Sequence, residues 1–373
     1  MKRRGFVTKT LAEVDAQIKI LSRPVCFPVM ADGLNKLPVF LKILTHMRIP
    51  RYLSKLSFLL AVALFSLTWS CTEAGEQGKA YPTKPISFIV PWAAGGMTDM
   101  SSRMASAVWQ KALGQSVNVV NRTGGGGVVG HLAISQARPD GYTLGAVTVD
   151  ITLLHHTGIT DLTYENYTPI ALLVNNPAAI TVRADAPWDS LPDLLAELKK
   201  APGELQASGT AKNGIWDLAR MGFLKAAGLE PSAMPWVPSQ GAAPALQELI
   251  AGGVDVVTAA LSEVDALRQA GQVRTLAVMS EERLPEFPDV PTLKEYGLDW
   301  SVGGWVAICG PADLPADIQA SLDSTIRVAV QDGEYLTAMK NSGATMQFLA
   351  GEECRAFMAN QDKVNGELLK ANE

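Results

Sequence analysis

The chain has little of the chemistry from which catalytic and metal sites are built. Its 373 residues include only four cysteines and four histidines. Cys26, Cys71, Cys309 and Cys354 lie far apart, and His46, His131, His155 and His156 follow no zinc-ligand spacing. There is no Gly-x-Ser-x-Gly elbow, and no histidine lies near a candidate nucleophile in sequence. These absences argue against an enzyme, and no cofactor or metal is expected. Charge is also sparse: 18% of residues are charged, 32 basic against 37 acidic, for a net charge of -5. No basic stripe with interleaved aromatics occurs, which excludes nucleic acid as a natural partner. So weak a negative charge draws no anion from a distance. An anion site has to be made locally, from backbone amides and hydroxyls. Cys309 and Cys354 leave two readings open, separate core thiols or a pair in an oxidising compartment, because spacing alone never shows a disulfide.

Long hydrophobic runs are missing as well. The one pronounced run, Phe58 to Trp69, follows a basic lead of Arg48, Arg51 and Lys55. It is shorter than the ~20 residues a membrane span requires and matches a signal-peptide core of ~7–15 residues. The expected layout is an upstream extension over 1–46, a start at Met47, a signal peptide over 47–70 and a linker over 71–80. The protein is therefore expected to be exported, to a periplasmic or extracytoplasmic location. Cys71 stands where lipoproteins carry their anchor and is the expected lipidation site. Thr68 and Trp69 depart from the leucine and small residue that usually precede such a cysteine. The other reading is an ordinary signal peptide with a chance cysteine.

What the chain does have is ample apolar content, 47% of residues, enough for two domains. Past Tyr81, short β-branched runs alternate with helix-period segments. Strands are expected at Ile86–Val90, Val117–Val120, Leu144–Val149, Leu205–Ser208, Val254–Ala259, Val273–Met279 and Val302–Ile308. Helices are expected at Met100–Leu113, Val129–Ala137, Leu191–Lys200 with Ser190 as N-cap, Ile215–Ala227, Pro244–Ala251, Val264–Ala270, Pro315–Val330 and Glu352–Leu369. Such alternation implies α/β architecture with largely parallel sheets covered on both faces. There are no repeats and no low-complexity linker.

Two glycine-rich loops run from a strand into a helix. The first, Pro91-Trp92-Ala93-Ala94-Gly95-Gly96-Met97-Thr98-Asp99, lets backbone approach a ligand, and the free amides of the helix start favour an anion. Thr98 adds a hydroxyl donor and Trp92 an apolar wall, while Asp99 is expected to cap the turn. The second, Ala207-Ser208-Gly209-Thr210-Ala211-Lys212-Asn213-Gly214, supplies Ser208, Thr210 and Asn213 as short donors. Lys212 has two readings, a ligand contact or a solvated loop lysine. Two such helix starts facing one another would suit a ligand with carboxylates at both ends. The segment Asn121-Arg122-Thr123-Gly124-Gly125-Gly126-Gly127 lacks the spacing of a nucleotide loop and is expected to be a flexible turn beside the cleft.

Five stretches, YPTKPISFIVPWAAGGMTD (81–99), NRTGGGGVVGHLAISQARPDGYTL (121–144), SGTAKNGIWDLARMGFLKAAGL (208–229), PWVPSQGAAPALQELIAGGVDVV (235–257) and VRTLAVMSEERLPEFPDVPTLKEYGLDW (273–300), resemble the extracytoplasmic solute-binding receptors of tripartite tricarboxylate transporters, the Bug-type proteins. The likeness runs in order along the whole of 81–373. It implies a two-lobed, periplasmic-binding-protein-like (type II) α/β architecture with a ligand cleft between the lobes. The lobes would be 81–180 plus 303–373 and 181–302. It implies a small organic carboxylate as ligand, a citrate-like tricarboxylate first of all, handed to integral-membrane permease subunits; a signalling receptor is the alternative. Carried over by position, the ligand-binding candidates are Trp92, Gly96, Met97 and Thr98, then Ser208, Thr210, Lys212, Asn213 and Gly214, with Ser239 and Gln240 as third contacts. Two departures stand out: the loop reads Thr210-Ala211-Lys212-Asn213 where relatives carry small and glycine residues, and Asp217 stands where histidine is common. One expected outcome concerns processing. Mass spectrometry of membrane-fraction protein should show an acylated amino-terminal Cys71, and an unmodified terminus downstream of it would refute the anchor.

Overall fold

The structure, a computed structural model, describes residues 81–372, with side chains as far as Lys370. The export segment and Cys71 lie outside the described residues.

A mixed sheet organises the fold, and its backbone is one long strand. Strand β4 (Tyr167–Arg183) is buried along almost its whole length. Its first part pairs antiparallel with β9 (Gly303–Pro311), from Tyr167 opposite Pro311 to Pro177 opposite Gly303. Beyond Pro177 it enters a second half-sheet, where Ala178–Val182 pair antiparallel with β7 (Val256–Ala260) and Ala179–Arg183 with β8 (Val273–Val278). In the first half, β1 (Ile86–Val90) pairs in parallel with β2 (Val117–Asn121) and β3 (Thr143–Thr148), and β3 pairs antiparallel with β9. Strand β10 (Met346–Ala350) closes the other edge of β4. In the second half, β5 (Ala207–Ser208) lies parallel to β7 and to β6 (Trp236–Val237).

The expectation of largely parallel sheets is thus corrected. Parallel pairing survives where helices cross over, but β4 runs through both halves and makes the centre of each antiparallel, against β9 in the first and against β7 and β8 in the second. The sequence reading also missed β4 itself, because Pro169, Pro177 and the pair Asn175-Asn176 interrupt its apolar run and proline argues against a central strand. The structure tolerates both prolines at irregular places. The register slips between Pro169 and Ala171, and Pro177 sits at the junction of the half-sheets.

Most other expected elements form within a few residues. They include α1 (Met97–Leu113), α2 (Val128–Ser135), α3 (Leu191–Lys200), α4 (Ile215–Ala226), α5 (Ala242–Ala251), α6 (Leu261–Gln269), α7 (Ala316–Ala329) and α9 (Glu352–Asn372). Helix α1 begins three residues before the expected Met100. Ser190 does start α3, its N–H and hydroxyl both donating to the Asp193 carboxylate. Helix α8 (Gly333–Asn341) was not anticipated. The C-terminal helices return to the first half, where Trp109 on α1 donates its indole N–H to Thr325 on α7 at 3.0 Å. Cys309 and Cys354 are separate, buried thiols. Burial raises both, Cys354 to about 12. Among the described residues no helix is long and apolar enough to cross a membrane.

The crossing point leaves no spare room. A Cβ at Gly303 would lie 2.5 Å from the Asn176 carbonyl oxygen, whereas one at Gly333 meets nothing within 4 Å. Gly303→Ala should therefore cost about 1–3 kcal/mol in urea unfolding, the usual range for forced overpacking. Gly333→Ala should be neutral or slightly stabilising. Equal effects would mean that the strand crossing is not tightly packed.

Candidate ligand-binding site

The two glycine loops are built to one plan. Helix α1 has Gly96 at its N-cap and Asp99 at its third position; helix α4 has Gly214 and Asp217 in the same places. In each, the aspartate reaches back to tie the loop. Asp99 Oδ2 accepts from Gly95 N–H at 3.0 Å, and Asp217 Oδ2 from Asn213 N–H at 2.9 Å. Each donor residue holds a positive φ, +88° at Gly95 and +61° at Asn213, a conformation that glycine and asparagine adopt most readily. Each aspartate is then paired with an arginine further along its own helix. Arg103 binds Asp99 at 2.9 Å, and the buried Arg220 binds Asp217 at 2.7 Å while donating to the carbonyls of Pro231 and Met234.

Asp99 thus ties the turn from the third helical position, while the N-cap itself is Gly96. Burial would raise its pKa, but hydrogen bonds from Arg103, Gly95 and Asn121 outweigh that and hold it below the ordinary value. Asp217, the departure from the family pattern, does in the second loop what Asp99 does in the first. The segment 121–127 supports this arrangement too, since Asn121 Nδ2 donates to Trp92 O at 3.0 Å and to Asp99 Oδ1 at 2.9 Å.

With these internal ties made, the outward amides at both helix starts remain, and each is taken by a carboxylate from the opposite half. Glu263, on α6 of the second half, accepts from Met97 N–H at 2.8 Å through Oε1 and from Ala260 N–H at 3.0 Å through Oε2. Asp150, just after β3 of the first half, accepts from Ile215 N–H at 3.0 Å through Oδ1 and from the Thr148 hydroxyl at 2.9 Å through Oδ2. Glycine at both N-caps permits the approach. A Cβ at Gly96 would lie 3.3 Å from Glu263 Oε1, and one at Gly214 would lie 2.8 Å from Asp150 Oδ1.

These groups enclose a cavity lined by both helix starts, Trp92, Thr148, Asp150, Thr210, Glu263 and Trp305, with no lysine, arginine or histidine in its wall. About 20 Å³ of it is open to water-sized centres, room for about one water. Two polar atoms in the wall, Thr210 Oγ1 and Trp305 Nε1, are buried without a protein partner. Behind the wall, His131 Nε2 accepts from Thr148 N–H at 3.2 Å, and burial lowers its pKa to about 3, so the ring is neutral. Asp150 is raised by burial against the opposing bonds from Ile215 and Thr148. Burial pushes Glu263 up to about 7 against its two amide bonds, and the charge of Asp150 adds to the rise.

Of the residues singled out from sequence, Trp92, Gly96, Met97, Thr98 and Thr210 line this cavity, and Gly214 starts the helix beside it. The others are not in its wall. The Ser208 hydroxyl donates to Val237 O at 2.7 Å, which ties β5 to β6. Ser239 donates its hydroxyl to Gly241 O and its N–H to Thr210 O. Gln240 is exposed and uses its carbonyl, which accepts from Ala93 N–H at 3.2 Å across the cleft. Asn213 makes the loop tie, and Lys212 is exposed at the loop surface. Sequence reasoning missed Asp150 and Glu263. Asp150 follows the carboxyl end of a strand, where α/β folds place ligand groups, and Glu263 sits at the third position of a helix, where acids face a helix start.

Residues 102–373 match the family described as tripartite tricarboxylate transporter family receptor, and the chain belongs to it. BugT of Bordetella pertussis is 30% identical over 317 residues, which cover 81% of this chain and 94% of that protein. MatC from Rhodopseudomonas palustris, solved with bound malate, is 25% identical with a TM-score of 0.72, covering 77% of this chain and 99% of that one. Rpa4515 of R. palustris, solved with adipate, is 26% identical with a TM-score of 0.73, covering 78% and 98%.

The state of Glu263 has a measurable consequence. Its folded pKa of about 7 lies above the ordinary 4.5, so between those values the folded protein holds a proton that the unfolded chain releases. Stability must then fall as pH rises through that window and level off above it. The ligand-free protein should lose Tm between pH 5 and pH 7.5, and Glu263→Gln should flatten that slope. An unchanged slope would assign the titration to other groups.

Proposed function

We propose that this protein is an extracytoplasmic receptor that captures a small organic carboxylate between its two half-sheets and passes it to the permease subunits of a membrane transporter. The observation that carries the reading is the pair of helix starts, alike in design, that open into one cavity. Amides at a helix start favour an anion without any basic side chain, and the unpartnered Thr210 hydroxyl in the same wall offers a further donor. The half-sheets act as the two lobes, 81–180 plus 303–373 and 181–302. Among the described residues, β4 and the return through Val302 into β9 join their sheets, a connection suited to hinge closure. Cys71 would tether the receptor to the membrane beside its permease.

For the ligand, malate and adipate in two relatives favour at least two carboxylates, and a citrate-like tricarboxylate extends the same pattern. A thermal-shift screen with citrate, malate, succinate and adipate tests the reading, because a ligand that binds only the folded state raises Tm. At least one of them should do so. Thr210→Val should then weaken that ligand by about 1–2 kcal/mol while leaving the Tm of the free protein unchanged or higher, since the hydroxyl it removes has no protein partner. No shift with any carboxylate would overturn the proposal.

A further inference from the structure

The two acids in the cavity wall sit where an anion receptor should least tolerate them. Asp150 and Glu263 are the charged side chains of that wall. The other acids at the helix starts, Asp99 and Asp217, are neutralised by Arg103 and Arg220. Neither Asp150 nor Glu263 forms an ion pair among the described residues. Each instead crosses the cleft to take the first amide of the opposite helix, Glu263 at Met97 and Asp150 at Ile215. Both N-caps are glycine at the point of closest approach. The cleft between them has room for about one water. Thr210 Oγ1 and Trp305 Nε1, on residues of the same wall, are meanwhile buried without a protein partner. The acids thus satisfy the helix starts, while the donors that a larger occupant would meet stay unused.

We propose that Glu263 and Asp150 are resident competitors of the ligand: each holds the helix-start amide that receives one end of a two-ended carboxylate, and both withdraw when that ligand binds. The inference rests on the carboxylate-receptor reading and adds to it the residues that set affinity and the shape of the ligand. An incoming anion has to displace two carboxylates and escape their repulsion, so the observed affinity is its intrinsic affinity reduced by the stability of the self-occupied state. One carboxylate replaces one of the acids. A two-ended ligand replaces both and reaches the unused donors besides.

The test uses the mature receptor at pH 8, above the value of about 7 to which burial raises Glu263, and isothermal titration with succinate and with propionate. Wild type should bind succinate more tightly than propionate. Glu263→Ala and Asp150→Ala should each lower the Tm of the free protein yet tighten succinate binding by about three- to tenfold, the scale of a charge at a helix start. Glu263→Gln and Asp150→Asn retain an acceptor and the side-chain shape, so they serve if an alanine variant fails to fold. Lacking the charge, they should also tighten binding. Weaker succinate binding in the variants would make these acids ligand contacts or closing contacts and overturn the inference. So would unchanged binding in well-folded variants, which would leave them a purely structural role. Failure of the receptor reading looks different: no carboxylate then shifts the Tm of wild type at all.

Discussion

Everything at the centre of this molecule depends on the unpaired amides at the start of a helix. Helices α1 and α4 both begin at the edge of the cleft, and both must find acceptors for N–H groups that no helical carbonyl can reach. The chain solves this twice in the same way. An aspartate at the third helical position ties the loop behind, and a carboxylate from the other half-sheet takes the amide in front. The ties behind are each braced by an arginine, Arg103 for Asp99 and Arg220 for Asp217. The bonds in front, which we infer to be exchangeable, come from Glu263 and Asp150, neither of which has a cation partner among the described residues.

That difference explains how a receptor with a net charge of -5 can hold an anion. Long-range attraction is not available, and the cleft provides no fixed cation. What it provides is hydrogen-bond donors fixed in place by the fold, whose partners are other carboxylates when no ligand is present. On the proposed reading, binding is an exchange of one carboxylate for another, and selectivity comes from where the donors stand. Such a site discriminates by the spacing of acidic groups more than by the chemistry between them. Malate and adipate, bound by two relatives, differ in that spacing.

Much of this was legible in the sequence. The glycine-rich turns 91–99 and 207–214 announced the two strand–loop–helix starts, and five of the eleven ligand-binding candidates named from sequence line the cavity. Periodicity found most helices, because each buries one clear face, and short apolar runs bounded by turn residues found strands such as β1, β3 and β7, which are buried on both sides. It failed at β4, where burial on both sides erases periodicity and two prolines imitate a break. It also failed to distinguish donors facing the ligand from donors spent on the loops. Ser208 and Thr210 are equivalent in sequence, yet Val237 O consumes the first and nothing consumes the second. Glu263 and Asp150 were beyond a linear reading because their partners lie 166 and 65 residues away; only the folded chain brings each acid to the other half's helix.

The central claim, that a carboxylate is held by the amides at both helix starts, is tested most directly by titrating ¹⁵N-labelled protein with the tightest-binding acid and following each amide by NMR. The account predicts the largest amide shifts at Met97, Thr98, Ile215 and Trp216, moving together along one titration curve. Largest shifts elsewhere, such as the groove formed by Pro169, Ala316 and Gln319, with Met97 and Ile215 unmoved, would contradict it.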